Sequence, residues 1–207
     1  MSTTAATSTA GCLLAGALCL LSAPAGADAL DGTYSAPYES CGFCHGYDGN
    51  VSTDRFPSIA GQTLAYLTKQ LRDYRAGHRA AGGEMTPAAR ELDEHDLQTV
   101  ARYFASQTPR LRVDDESPAD LGLGRRLYLR GKPGVFACIA CHVPRGRPAP
   151  FGYPRVLGQN AAYVRRQMND YRSGRRRNDR FGVMRRIARR LSAREIAAVS
   201  EYAARRL

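Results

Sequence analysis

The sequence predicts an all-α protein built from two tandem copies of one domain. Apolar residues recur at three- and four-residue spacing in several stretches, the period of a helix that buries one face. No stretch shows the strict alternation of a half-buried strand. The chain also repeats itself. A shift of 97 positions superposes Gly49 on Gly146, Pro57 on Pro154, Gly61 on Gly158, Gln62 on Gln159, Tyr66 on Tyr163, Gln70 on Gln167, Tyr74 on Tyr171 and Gly77 on Gly174. After a two-residue slip the shift is 99, and Met85 meets Met184, Leu92 meets Leu191, Val100 meets Val199 and Tyr103 meets Tyr202. This period exceeds the roughly 20–50 residues of solenoid repeats, so each copy is a domain.

The chain opens on an apolar run over residues 11–21, followed by Ala25-Gly26-Ala27, a small-x-small cleavage site. The pattern reads as a secretory signal peptide over residues 1–27, cleaved near Ala27. The run is shorter than the about 20 apolar residues of a membrane span. Residues 2–10 hold no Lys or Arg, a departure from the usual leader. The rival readings are an uncleaved membrane anchor and a lipid anchor at Cys19, for which Gly16-Ala17-Leu18 is a poor match. The mature chain is expected to begin near Asp28 in the periplasm, with a first domain over residues 28–112 and a second over 113–207.

In the first domain only residues 31–40 precede the first cysteine motif, and Pro37 interrupts them, so an opening helix should be short or broken. Leu64, Leu67, Leu71 and Tyr74 define an amphipathic helix that stops near Gly77. Thr86-Pro87 supplies a turn signal, and Leu97, Val100, Ala101 and Phe104 define a later helix. Residues 107–118, with Pro109, Asp114, Asp115, Glu116 and Pro118, read as the interdomain linker. The second domain opens on a helix over residues 121–129. Ala161, Val164, Met168 and Tyr171 carry the next, ending near Gly174, and Ile196, Val199 and Ala203 the last. Ser192 and Glu195 have the spacing of a capping box before it.

Each copy carries the same five-residue motif, Cys41-Gly42-Phe43-Cys44-His45 and Cys138-Ile139-Ala140-Cys141-His142. C-x-x-C-H reads as covalent attachment of a c-type haem. Two thiols three positions apart reach the two vinyl groups on one porphyrin edge, and the adjoining His lies under the ring. The expectation is two haem c groups, bound by Cys41, Cys44, Cys138 and Cys141, with His45 and His142 on the irons. A redox dithiol would want a βαβ context, and a zinc site could draw on the same four cysteines. Neither accounts for the His in both motifs or for the export signal. The other two cysteines, Cys12 and Cys19, lie in the leader, so none remains for a structural disulfide.

The face of each iron opposite the His needs its own ligand. Met is the usual one in electron-carrying cytochromes, and it raises the reduction potential. Met168 aligns with Leu71 on an apolar helix face and reads as core. Met85 and Met184 align with each other, each in a stretch expected to be irregular, 40 and 42 residues after its own His. His78 and His95 are rival ligands in the first copy, but the second copy has no His besides His142. Symmetry therefore assigns Met85 and Met184 to the irons and leaves His78 and His95 in solvent.

Charge divides the halves. Residues 28–112 hold 9 basic and 11 acidic side chains, and residues 113–207 hold 21 and 8, within a formal net charge of +11. Nearly all the basic residues are Arg; the lysines are Lys69 and Lys132. The bland reading is a solvated Arg-rich surface. The sharper one is that the second domain docks on an acidic redox partner or an anionic membrane surface. Nucleic acid is a poor partner for an exported chain; the Arg175-Arg176-Arg177 run reads instead as a propionate-binding or surface feature.

The mature chain resembles the tandem dihaem class I cytochromes c of the cytochrome c4 type. The most specific matches are Pro57-Ser58-Ile59-Ala60-Gly61-Gln62 with Tyr66-Leu67 and Gln70-Leu71, and Pro154-Arg155-Val156-Leu157-Gly158-Gln159 with Tyr163-Val164 and Gln167-Met168. The resemblance implies two cytochrome c domains in tandem, each wrapped around a covalently attached haem. It implies His45 with Met85, and His142 with Met184, as axial ligands. Gly124 and Tyr128 are family-like positions of the second opening helix. The abbreviated first helix and Val143-Pro144-Arg145-Gly146-Arg147-Pro148, in place of Gly46-Tyr47-Asp48-Gly49, depart from the pattern. The expected function is one-electron transfer in a respiratory chain, from a quinol-oxidising complex toward an oxidase or reductase. The alternatives are a cytochrome subunit of a dehydrogenase oxidising a sulfur compound or an alcohol, and a dihaem peroxidase. A Met for each iron argues against the peroxidase.

Overall fold

In the computed structural model, residues 36–51, 53–79, 83–110, 121–144 and 150–205 are described. The leader lies outside them, as do residues 111–118 of the expected linker. The described residues belong to one unit, Tyr34–Leu207. They form eight α-helices and no strand; Lys132 and Val135 make an isolated bridge. The N-terminal half holds α1 (Glu39–His45), α2 (Leu64–Arg75), α3 (Met85–Arg90) and α4 (Glu94–Ser106). The C-terminal half holds α5 (Leu121–Arg130), α6 (Ala161–Ser173), α7 (Val183–Arg190) and α8 (Ala193–Ala204). The pairs α2/α6, α3/α7 and α4/α8 are the repeat seen in the sequence.

The helix boundaries follow from side-chain caps, which satisfy backbone donors left free in a first turn. Thr63 accepts from Tyr66 N at the start of α2, Asn160 from Tyr163 N at α6, and Asp93 from Asp96 N at α4. Ser192 and Glu195 form the expected capping box at α8. The glycine stops are also in place: α6 ends at Gly174 in the left-handed region, φ 81°, and Gly77 follows α2 with φ 73°. The apolar stripes of α2 and α4 meet in one core of Leu67, Leu71, Leu97, Val100, Ala101 and Phe104. Those of α5, α6 and α8 meet in another, around Leu127, Tyr128, Met168, Tyr171, Ile196, Val199 and Tyr202.

The halves differ at their openings. In the C-terminal half α5 crosses α8 so closely that a Cβ on Gly124 would meet Ala198 O at 2.2 Å and Tyr202 Cβ at 2.8 Å. The N-terminal half, among the described residues, has only the turn containing Pro37 before α1. Tyr38 stacks on Tyr103 of α4 there, ring centroids 3.7 Å apart. The first cysteine motif itself forms α1, whereas the second forms a short 3₁₀ turn, Cys138–Ala140. The expectation of irregular chain around the two methionines is corrected. Met85 opens α3 and Met184 stands in the first turn of α7, each packed on the core of its own half. The start of the expected linker is anchored: Asn50 Nδ2 donates to Thr108 O at 3.0 Å and Arg110 N to Asn50 Oδ1 at 2.8 Å.

Two bulky residues adopt backbone that favours glycine, Phe151 with φ 53° and Phe181 with φ 56°. Each costs about 1–2 kcal/mol by the steric clash of Cβ with the following carbonyl.

The halves are joined by a reciprocal pair of glutamines. Gln159 Oε1 accepts from Ser58 N at 3.0 Å, and Gln159 Nε2 donates to Ser58 O at 2.7 Å. Gln62 Oε1 accepts from Arg155 N at 2.8 Å, and Gln62 Nε2 donates to Arg155 O at 2.9 Å. Ser58 and Arg155 are equivalent in the repeat, so the seam has two-fold character. An amide carries one acceptor and one two-proton donor, which is what a backbone N–H and C=O pair requires.

Two stability measurements check this packing. Gly124→Ala should lower stability by about 1–3 kcal/mol, the range for overpacking a close helix crossing. Gln159→Ala strands the Ser58 backbone pair and should cost about 1–3 kcal/mol. Gln159→Glu keeps the shape but loses the donor and should fall between. Thermal unfolding of the three variants against wild type reads both.

Candidate haem-binding site

His45 sits at the end of α1 and His142 just past the 3₁₀ turn; both are buried, 6% and 9% exposed. Their ring contacts match. His45 Nδ1 lies 2.9 Å from Pro57 O and His142 Nδ1 lies 2.8 Å from Pro154 O. A carbonyl only accepts, so each Nδ1 carries the proton and donates it, which leaves the lone pair on Nε2. Burial pulls both imidazoles below the ordinary histidine pKa, against the opposing pull of the carbonyl. The result is a neutral ring, fixed in tautomer and orientation, as a metal-ligating His requires. The prolines that supply these carbonyls stand one residue before Ser58 and Arg155. The cross-half glutamine bonds therefore hold the irregular segment that orients each His.

Both histidines, all four motif cysteines, Met85 and Met184 line one cavity of about 1140 Å³ shared by the two halves. That exceeds the about 300–1,000 Å³ usual for a single small-molecule site. His78 and His95 do not line it; both are exposed. Among the described residues the side chains gathered at metal-ligand spacing are Asp93, His95 and Asp96; the four motif cysteines are not gathered in one such cluster. The four motif cysteines are not disulfide-bonded. Burial raises the Cys41 thiol above its usual range and pushes the Cys138 thiol up to about 11.

A feature of which the sequence showed only part, Arg176 within the Arg175-Arg176-Arg177 run, lies on the cavity wall between the halves. Arg79 and Arg176, equivalent in the repeat, are both buried. Arg79 donates to Gln70 Oε1 at 2.8 Å, Gln167 Oε1 at 3.0 Å and Tyr163 Oη at 2.8 Å. Arg176 mirrors it, donating to Gln167 Oε1 at 2.6 Å, Gln70 Oε1 at 3.0 Å and Tyr66 Oη at 3.1 Å. Each guanidinium also lies over a tyrosine ring of its own half, Tyr74 or Tyr171, at 4.6 Å. Among the described residues neither pairs with a carboxylate. Burial alone would push the Tyr66 phenol up, yet the two guanidiniums beside it bring it down to about 8. The 97-residue shift pairs Arg79 with Arg176, and that pairing was the available signal.

Two buried cations without counter-ions are costly. They call for anions in the cavity, and a haem brings two propionate carboxylates. The donor set fits two haems: a thiol pair, a tautomer-fixed imidazole and a thioether in each half, with cations between.

No family model matches the chain. The cytochrome c4 of Azotobacter vinelandii is 41% identical over 174 residues, covering 78% of this chain and 82% of that one. The thiosulfate dehydrogenase electron acceptor of Stutzerimonas stutzeri is 37% identical over 167 residues, covering 79% and 77%. The crystal structure of reduced recombinant cytochrome c4 from Pseudomonas stutzeri superposes with a TM-score of 0.73 at 38% identity, over 82% of this chain and 94% of that one. With the helical halves and paired C-x-x-C-H motifs described above, these likenesses identify a non-enzymatic electron-transfer protein carrying two c-type haems, and the chain belongs to the cytochrome c4 family.

Proposed function

We propose that the protein is a periplasmic one-electron carrier of a respiratory chain, with His45 and Met85 as axial ligands of one iron and His142 and Met184 of the other. Cys41 with Cys44, and Cys138 with Cys141, hold the haems through thioether bonds. The signal peptide ends near Ala27, and the haem domains span residues 28–112 and 113–207. The observation that carries the reading is the single cavity in which both imidazoles and both thioethers stand, in halves with matching geometry.

When bound, the haems supply a one-electron iron couple. The chain's own residues do the rest. Pro57 O and Pro154 O fix each imidazole with Nε2 available. Met85 and Met184, held at the N-terminal ends of α3 and α7, offer a soft neutral ligand that favours the reduced iron. Arg79 and Arg176, buried on the cavity wall, would hold the propionates of a bound haem and offset their charge. The apolar lining of the cavity, with Leu67, Leu71 and Phe104 in one half and Val164, Met168 and Val199 in the other, would limit water around a bound haem and so lower the reorganisation that accompanies electron transfer.

The donor is expected to be a quinol-oxidising complex and the acceptor an oxidase or reductase. A second reading, the electron-accepting subunit of a dehydrogenase, is favoured by the likeness to the thiosulfate dehydrogenase electron acceptor. Co-purification with a catalytic subunit would select it.

The ligand assignment is tested by visible spectroscopy of the oxidised protein. Met85→Ala should remove one sulfur-to-iron charge-transfer band and lower one of two potentials, and Met184→Ala the other. Survival of both bands in either variant contradicts the assignment.

A further inference from the structure

We propose that Asn160 and Arg166, in the C-terminal half, are positioning residues for His45 of the N-terminal half, so that the first haem site is braced across the seam more fully than the second. The inference rests on the haem-ligand reading above and adds two residues and an asymmetry to it.

The segment that orients His45 is gripped on both sides of Pro57. Arg166 Nη1 donates to Asp54 O at 3.0 Å, and Arg166 Nη2 donates to Arg55 O at 3.0 Å. Asn160 Nδ2 donates to Phe56 O at 2.8 Å. Gln159 pairs with both backbone groups of Ser58. The carbonyls of Asp54, Arg55, Phe56 and Ser58 thus all accept from the C-terminal half, and the carbonyl between them, Pro57 O, accepts from His45 Nδ1. The Phe56 ring also stands edge-on to the His45 ring, centroids 6.1 Å apart, so fixing the Phe56 peptide acts on the imidazole from a second side.

Asn160 suits this task. Its Oδ1 accepts from Tyr163 N at 2.6 Å as the cap of α6, which aims Nδ2 across the seam. An amide has both an acceptor and a donor to offer in this way. The residue is 3% exposed, so water does not replace a bond lost there. Arg166 is exposed, and its bonds compete with water. Its planar fork nevertheless spans two successive carbonyls, which a lysine cannot do.

The repeat supplies the comparison. The equivalents of Asn160 and Arg166 are Thr63 and Lys69. Thr63 keeps the cap, accepting from Tyr66 N at 3.2 Å. Lys69 donates to Asp73 and, at 2.9 Å, to Asn178 O. Among the described residues, neither bonds to residues 151–153, which correspond to 54–56. The segment that orients His142 receives the Gln62 pair on the Arg155 backbone, and Arg155 Nη1 reaches back to Gly61 O at 2.9 Å. The grip on the first histidine is the wider of the two.

A firm bond from Nδ1–H to a carbonyl makes an imidazole a stronger donor to its metal. A stronger donor favours the oxidised iron. Loosening Pro57 O should therefore shift the first haem, and not the second, toward its reduced form.

The test takes its variants from the repeat. Asn160→Thr keeps a cap for α6, as Thr63 does for α2, and removes the donor to Phe56 O. Arg166→Lys keeps the charge and removes the fork. The oxidised holoprotein is read by proton NMR, in which the haem methyl signals of a low-spin ferric iron report the orientation of its axial imidazole, and by potentiometric titration. Met85→Ala marks the signals that belong to the first haem. Asn160→Thr should displace those signals and shift the first couple toward the reduced form on the order of threefold, with the second haem unmoved. Arg166→Lys should act in the same direction by less. Lowered thermal stability with both sets of signals in place would make the two residues merely structural and overturn the proposal. Equal displacement of both haems would overturn it too, because the seam would then brace the two sites alike. If Asn160→Thr does not take up haem, Arg166→Lys decides, and unmoved first-haem signals there overturn the proposal. A Met85→Ala variant that disturbs neither set of signals defeats the ligand reading. Wild-type signals in Asn160→Thr and Arg166→Lys, with Met85→Ala behaving as expected, defeat the brace alone.

Discussion

The two glutamine amides that cross between the halves are the constraint on which the site depends. Each reads the N–H and C=O of one residue in the other half, and that residue follows the proline whose carbonyl orients a haem-side histidine. Ligand orientation in one half is thereby tied to a side chain of the other. A single domain of this kind could hold its own imidazole. The duplicated form shares that work, and the two-fold seam follows from the duplication because equivalent residues meet equivalent partners.

The same symmetry explains how two buried guanidiniums are tolerated. Arg79 and Arg176 share Gln70 and Gln167 as acceptors and each borrows a tyrosine hydroxyl from the opposite half. Hydrogen bonds to neutral groups satisfy geometry but not charge. The remaining demand is for carboxylates in the cavity, which haem propionates would supply. An anion bound at this seam is felt by both halves, so the two haems should not be electrostatically independent. The wider charge asymmetry is different in kind: it lies on the surface, is screened by salt, and governs encounter more than stability.

Much of this was legible before the structure. The repeat fixed which residues are equivalent, the cysteine motifs named the cofactor, and helix periodicity, with Ser192 as the cap of the last helix, placed α2, α4, α6 and α8; the caps Thr63, Asp93 and Asn160 came from the structure. The structure corrected the local setting of the two methionines. Met85-Thr86-Pro87 looks like a turn because Pro lacks a donor, yet Pro is well accommodated in a first helical turn, where its N–H would be unpaired. It also showed α1 to be the motif itself. Gln62 and Gln159 were visible as repeat partners, but their role was not, since a side chain pairing with backbone a hundred residues away leaves no periodic trace. The burial of Arg79 and Arg176 was hidden for the same reason: in an Arg-rich sequence a buried guanidinium looks like a solvated one.

The account stands on two equivalent, mutually coupled His–Met haem sites. The most direct test is a potentiometric titration of the purified protein followed in the visible spectrum, with the haem content per chain measured from the same sample. Two covalent haems per chain, low-spin and sulfur-ligated, titrating in two resolved one-electron steps, are the expected result. A single haem, a high-spin iron, or a titration without the sulfur-to-iron band would contradict it.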